Sequence, residues 1–286
     1  TLQHRLTTLT ARPLPDGFLA RNAERLALLG LCLLAFAWRV YGLSFQSLWR
    51  DEVDSIRFAT RALPQVVGMF TKPGENGPLF FALLRPWLAL AGSSEFALRF
   101  QAVLAGVLAV PLTYVLARRL MEVVYPSYPA TVHGLTMRNL ALVAALLVAV
   151  NPYLTWYSQE GKMYSVLVVA ILATQLAFLA ALKQSRWWRW ALYLFLLAVA
   201  VLLHLMAVLV VVVDVAWLLL LWPNYRRRWL PFLLTLILPL APYFALVGWW
   251  QLRLFLKADF QTGHPFVPLD EIASGLLALY GHGASP

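Results

Sequence analysis

The chain has 286 residues, of which 61% are hydrophobic and 13% are charged, and it carries a formal net charge of +10. Soluble domains are nearer half apolar and a quarter charged, so this composition excludes a soluble domain and predicts an all-α, polytopic helical membrane protein. Excess Lys and Arg are typical of the cytoplasmic loops of such proteins, and for this reason we expect no nucleic acid among its partners. Cys32 is the single cysteine, which excludes a disulfide within the chain.

Apolar runs near the ~20 residues that cross a bilayer predict about seven transmembrane helices. In chain order they cover residues 26–43, 97–116, 140–153, 163–182, 187–222 (two spans, divided at His204) and 230–250. The stretch 187–222 is too long for one span at ~1.5 Å per residue. Dividing it into two spans also places all the basic groups on the cytoplasmic side. These groups lie before the first span and after the second, fourth and sixth spans. We therefore expect a multi-pass protein of the cell (inner) membrane with a cytoplasmic amino terminus.

Three segments follow from this topology. Residues 1–25 are a cytoplasmic amino-terminal segment, and residues 26–250 are the transmembrane domain, with an outer loop at 44–96. Residues 251–286 are an extracytoplasmic segment, which we expect to begin a missing or lost carboxy-terminal half. Within the outer loop, residues 78–92 are apolar but short for a span, which predicts an interfacial or re-entrant helix.

The outer loop opens with a dense charged stretch, SFQSLWRDEVDSIRFATRAL, at 44–63. Its apolar positions recur at spacings of three and four, at Val53, Ile56, Thr60 and Leu63. This spacing predicts an amphipathic helix over 51–63 that lies on the membrane surface, with Asp51 and Asp54 together on another face. The alternative is that Asp51 is only the N-cap of this helix, with Asp54 at N3.

A second polar stretch, NPYLTWYSQEGKMYS at 151–165, directly precedes the fourth span. Glu160 and Lys162 supply an acid and a cation, and a phosphate is favoured at the amino end of a helix. The alternative is an interfacial anchor, in which the lysine snorkels and the aromatic side chains lie at the head-group level. His204 is either a hydrogen-bonding residue, a catalytic residue or a metal ligand. Asp214 lies within the sixth span, where an acid is functional, paired with another helix, or protonated.

In their order along the chain, the motifs LWRDE, NGPLFFALLRPWLALAGSSEFALR, NPYLTWYSQEGKMYS and LLHLMAVLVV resemble those of the GT-C superfamily of membrane glycosyltransferases. The resemblance covers residues 26–250 and is to the branch of protein O-mannosyltransferases and the aminoarabinose transferase of lipid A. It implies transfer of a sugar, with inversion, from a polyprenyl-phosphate donor on the extracytoplasmic face. It also implies Asp51 as general base, Glu52 as its companion and Glu160 as the acid of the second outer loop.

The same resemblance suggests which residues bind the donor. The candidates for the lipid phosphate are the cations and one tyrosine of the outer loops, namely Arg50, Arg57, Lys72, Lys162 and Tyr164. A divalent metal ion held by His204 and Glu75 remains an alternative feature of the site. The implied partners are membrane lipids, the lipid-linked sugar donor, and a protein or lipid acceptor.

The chain also departs from the family pattern. It has Asn76-Gly77-Pro78 where members have a His-Pro-Pro or Lys-Pro-Pro motif, Lys162 where many have arginine, and fewer spans than members usually have. These departures motivate an alternative hypothesis, a non-catalytic structural subunit that keeps the fold and packs against other membrane subunits in a larger complex. A transporter is a third hypothesis, and it depends on Asp214 alone.

Overall fold

The computed structural model of the chain describes residues 17–70, 77–124, 131–132, 135–243, 268, 270–272 and 274–275. The described residues are almost all helical, as predicted; the two strands among them, β1 (Thr131–Val132) and β2 (Leu135–Thr136), are two residues each and pair antiparallel. Lys72, Glu75 and Asn76 lie outside the described residues, as does nearly all of the predicted segment 251–286.

Twelve helices follow one another in the described part of the chain. They are α1 (Gly17–Val40), α2 (Arg50–Ala59), α3 (Leu63–Gly68), α4 (Pro78–Ala91), α5 (Glu95–Val124), α6 (Met137–Val150), α7 (Pro152–Ser158), α8 (Tyr164–Lys183), α9 (Trp187–Leu203), α10 (Leu209–Leu220), α11 (Trp222–Tyr225) and α12 (Trp229–Tyr243). Short 3-10 turns, Leu205–Val208 and Arg226–Arg228, precede α10 and α12.

Two of the described helices, α5 and α8, are each long and apolar enough to cross a membrane. Two bent pairs raise the number to four if each pair is one broken span. The first pair is α6 with α7, bent by 55°, and the second is Leu205–Leu220 with Trp222–Leu238, bent by 96°. The protein is therefore a helical membrane protein with two to four such spans among its described residues.

The predicted helix break at His204 is confirmed. Helix α9 ends at Leu203, and His204 is extended, with its Nδ1 accepting a hydrogen bond from the Met206 backbone N–H at 3.2 Å. The predicted third span, 140–153, is instead interrupted at Asn151. Because Asn151 caps α7 by accepting from the Leu154 N–H at 2.9 Å, and because Pro152 disfavours helical backbone at the residue before it, α6 ends at Val150.

The amphipathic helix predicted over 51–63 is two helices, α2 and α3. The N-cap of α2 is Trp49, so the alternative in which Asp51 is only the N-cap is wrong. The buried face of α2 consists of Glu52, Ser55 and Ala59. Two residues of the predicted apolar stripe lie on the exposed face, where Val53 is 49% exposed and Leu63 is 59% exposed. Ile56, also in the stripe, is half-buried and packs against the core. A buried carboxylate therefore anchors α2 to the rest of the protein together with apolar contacts.

Helix α5 is the centre of the bundle and packs against α1, α6 and α8. The faces of α1 and α6 against it are built from small residues, among them Ala35, Ala141, Ala145 and Ala149, all at most 1% exposed. Small residues allow the close backbone approach on which helix association in membranes depends. This close packing brings the loops at both ends of these helices together.

A buried arginine in α1 binds the break between α6 and α7. Arg39 donates to the carbonyl oxygens of Val148 and Ala149 at 3.0 and 2.8 Å, and its Nε donates to Ser158 Oγ at 3.2 Å. The last carbonyls of a helix have no partner within that helix. A positive charge at a helix C-terminus is also favourable. Arg39 therefore stabilises the end of α6 without a carboxylate partner among these contacts.

Asp214, which the sequence left open, is fully buried and paired with two other helices. Its carboxylate accepts from the Tyr193 hydroxyl and from Gln175 Nε2, each at 2.7 Å. It therefore connects α10 to α8 and α9, and these contacts account for it without an ion pathway.

We predict that Gly106→Ala destabilises the protein by about 1–3 kcal/mol, the usual effect of overpacking. A Cβ at Gly106 in α5 would lie 2.9 Å from both Arg39 Nε and Ser158 Cβ. Gly30→Ala in α1 is the matched control, because a Cβ there meets nothing within 4 Å. Thermal unfolding in detergent measures both variants, and equal melting temperatures for the two would contradict this packing.

Candidate functional site

The polar segments of interest meet at one end of the bundle, which we call the acidic end. It comprises the connection from α1 to α2 (41–49), the start of α2, the connection from α7 to α8 (159–163) and the break at His204. Gln159 Nε2 joins the first and third of these by donating to the carbonyl oxygens of Arg39 and Tyr41 at 3.1 and 2.9 Å. The sequence predicted that the two outer loops share a face, and these contacts bring them together.

A buried ion pair between Glu52 and Arg99 lies at the centre of the acidic end. Arg99 Nε donates to Glu52 Oε1 at 2.8 Å, and Arg99 Nη2 donates to Glu52 Oε2 at 2.7 Å. Glu52 is fully buried, and Arg99 is 5% exposed. This bidentate geometry is the one in which an arginine–carboxylate pair is strongest.

The rest of the Arg99 guanidinium binds the connection between α1 and α2. It donates to the carbonyl oxygens of Leu43 at 2.8 Å, Gln46 at 2.9 Å and Ser47 at 3.2 Å. Sequence reasoning missed Arg99, because it lies at the start of an apolar run that we interpreted only as a span. A charged residue inside a predicted span was the available signal, since such residues are rare and functional by default.

Glu52 also binds the second polar loop directly. The Gly161 backbone N–H donates to Glu52 Oε1 at 2.8 Å. A side chain at Gly161 is excluded, since a Cβ there would lie 2.6 Å from Cδ2 of Leu98, which is fully buried. One carboxylate therefore joins α2 to the connection before α8. Its sequence neighbour Asp51 is consequently close to Glu160 and Lys162, the neighbours of Gly161.

Asp51 and Lys162 form an ion pair across this junction, with Lys162 Nζ 3.8 Å from Asp51 Oδ2. The Lys162 side chain is 11% exposed, whereas the Asp51 side chain is 45% exposed. Asp51 lies in the first turn of α2, where the helix dipole favours a negative charge. Asp51 is therefore an ionisable group that a ligand can reach, next to a cation that is held in place by burial.

Glu160 is half-buried beside this pair, and its Oε1 accepts from the Trp156 indole N–H at 2.7 Å. Burial raises the pKa of Glu160, the Trp156 hydrogen bond lowers it, and the carboxylates of Glu52 and Asp51 raise it. The nearby Lys162 ammonium also lowers this pKa. Glu160 therefore interacts electrostatically with both Asp51 and Lys162, so the three predicted residues form one cluster.

Tyr164 and His204 lie along the side of this cluster. A row of rings runs from Tyr153 to Tyr157 to Tyr164, with centroids 4.7 and 4.6 Å apart, and the His204 ring follows at 6.2 Å from Tyr164. Burial lowers the pKa of His204, which favours a neutral imidazole. His204 is thus near the site, although its Nδ1 is used by the turn at Met206.

The remaining predicted residues are not brought into the cluster by the described contacts. Arg50 and Arg57 are on α2 and exposed. Lys72 and Glu75 are outside the described residues, so a metal site at Glu75 and His204 stays a prediction. Within the described ranges, no three His, Cys, Asp or Glu side chains are grouped so as to hold a metal ion.

A groove of about 890 Å³ borders the cluster on the side of α1 and α7. Its walls come from the carboxy-terminal half of α1, the connection 41–49 and the end of α7, and it reaches Glu52, Arg99 and Glu160. Asp51, Lys162, Tyr164 and His204 do not line it. Glu160 is therefore shared between the groove and the ionic cluster.

No protein family model matches this chain, and no curated protein or solved structure matches it significantly.

We predict that Glu52→Gln lowers the free energy of unfolding by about 3–5 kcal/mol, the usual loss when one partner of a buried ion pair is removed. The substitution leaves the Arg99 charge buried without its carboxylate and directs an amide N–H at another donor. Glu160→Gln makes the same chemical change at a half-buried group whose burial disfavours its charge, so we expect it to be neutral or stabilising. Chemical unfolding of both variants measures the difference, and a harmless Glu52→Gln would contradict the importance of this pair.

Proposed function

We propose that the chain is a membrane glycosyltransferase that moves a sugar from a polyprenyl-phosphate donor to an acceptor at the acidic end, with inversion. One observation carries the proposal: the Glu52 contact with the Gly161 N–H brings Asp51, Glu160 and Lys162 together. Such a transfer needs a base for the acceptor hydroxyl and a cation for the leaving phosphate. The cluster contains both, and the resemblance to the GT-C superfamily gave the same residues.

Asp51 is the best-supported general base. Both oxygens of Glu52 already accept hydrogen bonds from Arg99, and Glu52 is fully buried. We therefore assign Glu52 a positioning role, since a proton from an acceptor cannot reach it without breaking this pair. Asp51 is 45% exposed and has one cation at 3.8 Å. When a donor phosphate takes over this cation, the Asp51 carboxylate accepts the proton of the acceptor hydroxyl. The hydroxyl oxygen attacks the anomeric carbon, and the phosphate leaves from the opposite face of the sugar.

Lys162 is the best-supported phosphate ligand. In the absence of ligand its ammonium is paired with Asp51. A donor phosphate competes for this ammonium, and the competition frees Asp51 to accept a proton. Lysine binds phosphate as a point charge without the fork of arginine, so Tyr164, which lies beside the cluster, is available to supply an additional hydrogen bond. Arg50 and Arg57, predicted for the same role, would have to reach the phosphate from the exposed face of α2.

We further propose the seven-span topology of the sequence prediction, with the acidic end extracytoplasmic in the inner membrane. The helix break at His204 and the position of Arg226–Arg228 between α10 and α12 support it. Two ion pairs, Arg118 with Glu24 and Lys183 with Glu122, lie near the ends of other helices. The basic loops at these ends are predicted to be cytoplasmic. The bend of 96° before α12 does not fit the last two of these spans as they stand, because α10 and α12 cannot both run along the membrane normal.

A non-catalytic subunit is the second candidate function. The pairing of Asp51 with Lys162 fits this function as well as it fits a transferase, because a structural ion pair between two loops would have the same geometry. A structural pair and a catalytic pair respond differently to substitution.

We predict that Asp51→Asn lowers sugar transfer about a hundredfold or more, the usual contribution of a general base, without impairing membrane insertion. Asp54→Asn is the matched control, because it makes the same change one turn further along α2. Transfer is measured in proteoliposomes with a polyprenyl-phosphate sugar. Normal transfer by Asp51→Asn would contradict the assignment of the base.

We predict that Lys162→Met raises KM for the donor about tenfold or more, the range for a hydrogen bond to a charged group. Lys162→Arg keeps the positive charge, so we expect it to retain most of the donor affinity. Steady-state kinetics against donor concentration separates the two variants. An unchanged KM in Lys162→Met, together with stable co-purification of other membrane proteins, would favour the subunit.

A further inference from the structure

The groove beside Glu160 has one apolar half and one polar half. The apolar half follows α1, where Leu34 is 43% exposed and Trp38 is 62% exposed. The polar half contains Gln46, Ser47 and Glu160. From Leu34 to Tyr41 the groove follows α1 for about 10 Å at the usual rise per residue. Its volume of about 890 Å³ is at the upper end of the range for small-molecule sites. These dimensions suit an amphipathic molecule with its chain in the bilayer.

The charges of the groove exclude a phosphate head group. Among the described residues that line it, the one cation is Arg99, and the five N–H groups of its guanidinium are directed at Glu52 and at three backbone carbonyls. Glu160 adds a carboxylate with one oxygen engaged by Trp156. A phosphate in the groove would be repelled by this carboxylate, and no free cation among the described lining residues would bind it. An uncharged head group rich in hydroxyls has both donors and acceptors to offer.

One wall of the groove combines a buried, unpartnered hydroxyl with two exposed indole rings. Thr155 lines it and is 7% exposed, and its Oγ1 has no hydrogen-bond partner among the described residues. A buried polar group without a partner costs about 1–3 kcal/mol, and such groups in a native protein call for an explanation. The indole rings of Trp49 and Trp156, each more than 40% exposed, lie in the same wall. Apolar faces of sugar rings pack against such rings.

We propose that this groove binds a membrane lipid with an uncharged saccharide head, whose hydrocarbon chain lies along Leu34 and Trp38. The saccharide contacts the exposed indole rings and the Glu160 carboxylate, and the Thr155 side chain turns its hydroxyl, which is buried in the absence of ligand, towards the saccharide.

The next step rests on the proposed transferase function. If the chain is a glycosyltransferase, the glycolipid bound in the groove is the sugar acceptor. Glu160 lines the groove and also interacts with Asp51 and Lys162. A saccharide held there contacts Glu160, and its hydroxyl groups must extend past this carboxylate to reach Asp51, because Asp51 does not line the groove. A glycolipid can bind to the groove without any sugar transfer, so the glycolipid site and the transferase function can be contradicted independently.

Photocrosslinking tests the class of the head group. The full chain in phosphatidylcholine nanodiscs is exposed to a diazirine-labelled monoglucosyl diacylglycerol, or to phosphatidic acid with the same labelled chain. We expect the glycolipid to label α1 and α7 and unlabelled glycolipid to displace it, with phosphatidic acid at least tenfold less effective. Equal or stronger labelling by phosphatidic acid, or no labelling of these helices by the glycolipid, would overturn the proposal. If the glycolipid labels the groove but the chain transfers no sugar, the binding site is retained and only the proposed transferase function is contradicted.

Thr155→Val supplies the second measurement. Valine keeps the shape of threonine and removes the unpartnered hydroxyl, so the melting temperature should stay the same or rise. The affinity for the glycolipid should fall about fivefold, the equivalent of one neutral hydrogen bond. Thr174→Val is the matched control, because Thr174 is fully buried in α8 and does not line the groove. Unchanged glycolipid affinity in Thr155→Val would overturn the contact.

Discussion

The buried ion pair between Glu52 and Arg99 is the constraint on which the acidic end depends. Arg99 binds the carboxylate in a bidentate manner and also binds three carbonyl oxygens of the connection after α1. Glu52 in turn accepts from Gly161. Three chain segments are therefore fixed relative to α5 by one pair of side chains. Breaking a buried pair is strongly unfavourable because it leaves an uncompensated charge, so these segments move together or not at all.

In this arrangement, neighbouring residues have different roles: some stabilise the fold, and others are proposed to carry out the chemistry. Glu52 is saturated with hydrogen bonds, while Asp51 beside it is half exposed with a single cation nearby. Close contact with Leu98 leaves no room for a side chain at Gly161. On either side of this glycine, Lys162 pairs with Asp51 and Glu160 lines the groove. A rigid support with reactive groups at its edge is what precise positioning of a substrate requires. Under the proposed function, donor and acceptor approach this edge from opposite sides of Glu160.

The sequence predicted the parts of the fold that depend on length and apolar composition. The helical class, α5, α8 and the break at His204 follow from run lengths and from the placement of basic residues. The pairing of Glu52 with Arg99 joins positions far apart in the chain, and no periodicity indicates it. The buried face of α2 was not predicted, because the apolar spacing indicated only a face towards the membrane surface; the buried face carries the Glu52 carboxylate. The break at Asn151 had a local signal in the Asn-Pro pair, which the surrounding apolar run obscured.

The most direct test of the transfer site is a cryo-electron microscopy structure of the full chain in nanodiscs with a C-glycosidic phosphonate analogue of a polyprenyl-phosphate sugar. We predict that the phosphonate binds Lys162 Nζ, that Asp51 no longer pairs with this ammonium, and that the anomeric carbon of the sugar faces the Asp51 carboxylate. An analogue bound away from the acidic end, or a structure with saturating analogue in which Asp51 remains paired with Lys162 and no analogue is bound, would contradict the proposed glycosyltransferase.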